Sequence, residues 1–119
     1  MALTKVTHDV LEDRYTAASA VTSATTITID SSSADVFTWT AGHSATINFT
    51  NVKIGDVVTL QVTGGGGSYT LTLNNINGAS GTFNKIAGDY DDTSSTKNFI
   101  EFKFISTSAA WYQISQIAS

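Results

Sequence analysis

From residue 25 onward the chain alternates apolar and polar positions in short runs separated by Gly, Asn, Asp and Ser, the period-two signature of strands with one buried face. Strands are expected at 25–30, 36–40, 45–50, 57–63, 69–74, 82–86, 98–105 and 111–117. Alternation sets Ile27 and Ile29, Phe37 and Trp39, Ile47 and Phe49, Val58, Leu60 and Val62, Tyr69, Leu71 and Leu73, Ile100, Phe102 and Phe104, and Tyr112 and Ile114 each on one face. These are the expected core. Connections of this length suit hairpins and Greek-key crossovers, so the pattern predicts an all-β fold: an antiparallel β-sandwich, jelly-roll-like, of about eight short strands.

The first stretch behaves differently. Leu3, Val6, Val10, Leu11 and Tyr15 recur at intervals that do not alternate, and Thr7 or Asp9 is placed to cap a turn or two of helix. A helix this short does not repay its nucleation cost alone, so it must dock on something or stay mobile. Residues 1–24 therefore read as an N-terminal attachment arm and linker, and 25–119 as the β-sandwich domain.

Composition sharpens this picture. Charged residues are 13% of the chain, well below the roughly 25% of an average soluble domain, and Ser, Thr, Asn and Gly supply the polarity. Thr suits a pleated, half-buried surface, which strengthens the β assignment. The net charge is −4 and Lys5, Arg14, Lys53, Lys85, Lys97 and Lys103 are scattered, which argues against a nucleic-acid partner. Without cysteine there is no disulfide and no thiolate site. No apolar run has the length of a signal peptide core or a membrane helix, so no membrane partner is expected and the protein is expected to be made soluble in a cytoplasm.

Candidate chemistry is sparse. The run of glycines at 64–67 lacks the Lys-Ser/Thr and the helix of a phosphate-binding loop, and reads as a flexible hairpin tip or a close contact with a neighbouring subunit. Asp89, Asp91 and Asp92 cluster, but without the glycine and terminal Glu of a calcium loop they read as a solvated acidic loop. His8 and His43 have no nucleophile-elbow pattern near them. No catalytic residue, metal ligand or cofactor is expected. Glu101 and Lys103 read as outward charges protecting an edge. Val36, Val57, Phe99, Ile105, Trp111 and Ile117 fall on the second face of their strands; either both faces of a central strand are buried, or these residues meet another chain.

The segment TTITIDSSSADVFTWTAGHSATINFTNVKIGDVVTLQVTGGGGSYTLTL, with NFIEFKFISTSAAWYQISQI at its close, resembles a β-module recurrent in virion proteins of tailed bacteriophages. The opening KVTHDVLEDRY is similar to the start of phage decoration and fibre proteins. The resemblance implies a homotrimeric sandwich on the capsid surface, a decoration or cement protein whose arm residues Leu3, Val6, Val10, Leu11 and Tyr15 contact the major capsid protein. The alternative it leaves is a tail-fibre or adhesion module binding host glycans through Trp39, Trp111 and Tyr112. An enzyme subunit or lyase-like domain is the third class.

Overall fold

The computed structural model describes residues 19–117, and the expected arm residues Leu3, Val6, Val10, Leu11 and Tyr15 lie outside them. Ten strands follow one another: β1 (Ser19–Ala20), β2 (Thr26–Asp30), β3 (Val36–Thr40), β4 (Ala45–Thr50), β5 (Val57–Thr63), β6 (Leu71–Ile76), β7 (Ala79–Ser80), β8 (Thr82–Ala87), β9 (Lys97–Phe104) and β10 (Ala109–Gln116). Successive strands up to β6 alternate between two sheets, of order β1-β3-β5-β9-β10-β8 and β2-β4-β6-β7. The ladders β1/β3, β3/β5, β2/β4 and β4/β6 are all parallel. This is a β-solenoid of about four turns, not the expected antiparallel jelly-roll sandwich.

The correction has a physical cause. A tight hairpin returns the chain to the same sheet beside itself, whereas the connections after β2, β3, β4 and β5 carry it across to the other layer, so each strand pairs with the one two places earlier. Thr26, Thr46 and Thr72 stack in one row, 20 and 26 residues apart, followed by Ile27, Ile47 and Leu73. Like residues repeat because each turn presents the same face to the core. Ser19 and Ala20 already pair with Phe37 and Thr38, so the first pairing precedes the expected domain start at residue 25.

Winding stops after β6. Strand β8 runs parallel to β10, and the hairpin β9–β10 fills the places between β5 and β8 with antiparallel pairing on both sides of β9. The core lies between the layers. Ile27, Ile29, Phe37, Trp39, Ile47, Phe49, Val58, Leu60, Val62, Ile100, Phe102 and Phe104 are buried as expected, with Ile76, Val52 and Ala110 added. Tyr69, Leu71, Leu73, Tyr112 and Ile114 are only partly covered. Phe49 anchors the centre, its ring 4.8 Å from Phe102, 5.2 Å from Phe104 and 5.9 Å from Phe83.

Candidate interaction face

Pairing register assembles the outward residues of the six-stranded sheet into rows. Val57, Lys103, Trp111 and Asn84 form one row across β5, β9, β10 and β8. Val36, Thr59, Glu101 and Gln113 form the next, and Thr38, Gln61, Phe99 and Ser115 the third. Neighbouring strands are about 4.8 Å apart, so Val57 and Trp111 stand on either side of Lys103. Trp111 is 49% exposed and Val57 47%, while Phe99 is half-buried.

Apolar groups gather at one end of this face. The Gly55 amide donates to the Phe104 carbonyl at 2.8 Å and the Phe104 amide to the Asp56 carbonyl at 2.8 Å, which brings the turn carrying Ile54 beside Ile105. Ile54 is 72% exposed. Together Ile54, Val57, Ile105 and Trp111 occupy the end where β5 and β10 begin and β9 finishes, with Val36 at the start of β3. Ile117 lies at the opposite end, its amide donating to the Lys97 carbonyl at 3.0 Å. Periodicity found the residues on strands but missed Ile54, an apolar side chain in a turn, and the exposed Ile86 on β8, next to a ladder irregularity. Each is a lone isoleucine between a lysine and a small residue, Lys53-Ile54-Gly55 and Lys85-Ile86-Ala87.

Glu101 and Lys103 do point outward, but β9 is interior to its sheet, so edge protection is not their role. The Gln113 amide donates to Glu101 at 3.2 Å. Trp39, Trp111 and Tyr112 do not share a patch: Trp39 is buried, and Trp111 and Tyr112, consecutive on β10, face opposite sides.

At the other end of the sheet the glycine-rich and acidic loops build one structure. The Asp92 carboxylate accepts from the Gly65 amide (3.1 Å), the Tyr69 amide (2.9 Å) and the Tyr90 hydroxyl (2.6 Å). Burial works against its charged form, but hydrogen bonds from Tyr90 and from the amides of Tyr69, Gly65 and Gly67 outweigh it and hold the carboxyl below its usual pKa. Burial and the bond to Asp92 push the Tyr90 hydroxyl up, keeping it a donor. Gly64 lies where a side chain would press on the Asp92 carbonyl carbon, 2.7 Å from the Cβ position, so the glycine run serves close packing within the chain rather than a mobile tip.

Asn98, fully buried, fastens this assembly to the sheet. It donates to the carbonyls of Val62 (3.1 Å) and Asp91 (2.9 Å) and accepts from the Asp91 amide (2.9 Å) and the Gln116 side chain (2.8 Å). Alternation at a core position gave no hint of an amide there. His43 sits in the 41–44 connection, 5.6 Å from the Trp39 ring and hydrogen-bonded to Ser23 at 3.1 Å. Among the described residues no group of three or more His, Cys, Asp or Glu is placed to hold a metal ion, and no helix is long and apolar enough to cross a membrane.

No protein family, curated protein or solved structure matches this chain.

Proposed function

We propose that the protein is a structural component of a phage particle, a decoration module that binds the coat lattice through residues 1–24 and presents the solenoid at the capsid surface. The observation that carries an assembly role is the outer face of the six-stranded sheet, where Val57, Trp111, Ile105 and Ile54 stand exposed on a rigid support. Isolated apolar residues on a surface are ordinary, but several converging at one end of a sheet suit contact with protein. The phage assignment draws on the resemblance of the sequence, and the arm gives several weak contacts that multiply when copies attach together.

The full-length chain in which Leu3, Val6, Val10, Leu11 and Tyr15 are all replaced by Ser tests this reading. Co-sedimentation with phage capsids lacking the protein is expected for the parent chain and lost for this variant, while its circular dichroism is unchanged. Equal co-sedimentation of both chains, or of neither, contradicts it.

A further inference from the structure

We infer that the outer face of the six-stranded sheet is a self-association surface on which a second copy of the chain packs face to face about a two-fold axis. This rests on the reading of the protein as an assembly module and names the partner of that face. The argument starts from charge. Along β9 the outward residues are Lys97, Phe99, Glu101, Lys103 and, just beyond the strand, Ile105. Glu101 and Lys103 are exposed, adjacent and opposite in sign.

A two-fold axis across the strands, midway between these two residues, sets Glu101 against Lys103 of the second copy and Lys103 against its Glu101. The same operation sets Phe99 against Ile105 of the second copy. Such reciprocity, in which one position meets another and the reverse holds across the axis, is what an isologous interface requires. Trp111 then lies over the row of Glu101 and Gln113 of the second copy, and Val57 over the neighbouring Thr59. An axis parallel to the strands would instead place Lys103 on Lys103, a like-charge contact.

Area supports the same occupant. Strands β9 and β10 have eight residues each. With a rise of about 3.3 Å per residue and strands about 4.8 Å apart, the face from β3 to β8 covers about 500–650 Å². Two such faces bury about 1,000–1,300 Å², the lower end of the range for specific association, so a reversible dimer is expected. The sheets would pack about 10 Å apart, the separation of aligned β layers.

Sedimentation velocity of the full chain, without particles, tests this independently of capsid binding. The parent is expected to pass from monomer to dimer as concentration rises. Glu101→Lys and Lys103→Glu should each weaken the dimer at least tenfold, with melting temperatures unchanged at concentrations where the parent is monomeric, because both side chains are exposed. Mixing these two variants in equal amounts should restore dimer, since the two lysines at 101 and 103 of one chain then face the two glutamates of the other. Trp111→Ser should also weaken it tenfold or more. A parent that stays monomeric throughout, a mixture that fails to recover, or a trimer in place of a dimer overturns the proposal. Capsid binding by a chain that remains monomeric would sink this inference and leave the decoration role standing.

Discussion

Replacing Asn98 by Ala removes the amide that ties β9 to β5 and to the acidic loop. The side chain is fully buried, and its bonds to the Val62, Asp91 and Thr96 carbonyls, the Asp91 amide and the Gln116 side chain are lost at about 0.5–1.5 kcal/mol each. A total of about 3–5 kcal/mol lowers the melting temperature of a chain this size by roughly 10–25 °C. Asn74→Ala, the same change on the exposed face of β6, should cost less than about 0.5 kcal/mol. Thermal unfolding followed by circular dichroism reads both. A fall of under about 5 °C for Asn98→Ala, or equal falls for the two variants, would refute the assignment of Asn98 as a buried fastener.

Gly88 has φ of 84°, and a Cβ there collides with the Ile114 carbonyl oxygen, so Gly88→Ala should cost more than about 2 kcal/mol in denaturant unfolding. Phe49→Ala empties the centre of the aromatic cluster and should cost about 3–5 kcal/mol on the same measure. Because the folded Asp92 carboxyl titrates below its unfolded value, its contribution is present above about pH 4 and is lost as pH falls through the folded pKa; Asp92→Asn should lower the melting temperature at pH 7 and flatten its decline in acid. At concentrations where the chain is monomeric, acrylamide should quench Trp111 and spare Trp39, read as nearly full protection in Trp111→Ser and ready quenching in Trp39→Phe.

Strand positions and their inward faces were legible because period two reports burial directly. Ile27, Ile29, Val58, Leu60 and Val62 are buried where alternation put them. Partners were not legible, because alternation says which way a side chain points and not which strand lies beside it. Parallel sheets covered on both faces lose their alternation, so alternating runs suggested antiparallel pairing. A solenoid escapes that rule: its strands are parallel yet each has one face in the core and one outside.

A trace of the winding does lie in the chain. Thr26-Ile27-Thr28, Thr46-Ile47-Asn48 and Thr72-Leu73-Asn74 repeat one pattern, and its first two positions stack through all three strands. The glycine-rich connection before β6 makes the second interval longer and hides the period. The Asp92 and Asn98 network was illegible for a different reason: it joins loops distant in sequence by bonds to backbone, which leave no pattern of residue types.

The outward face, its rows and its partner all follow from parallel winding, so interstrand nuclear Overhauser contacts test the account most directly. Parallel contacts are expected between β2 and β4, β4 and β6, and β3 and β5, with Ile27 beside Ile47 and Phe37 beside Leu60. Antiparallel contacts joining consecutive strands β2 to β3 or β4 to β5, as hairpins would give, would contradict it.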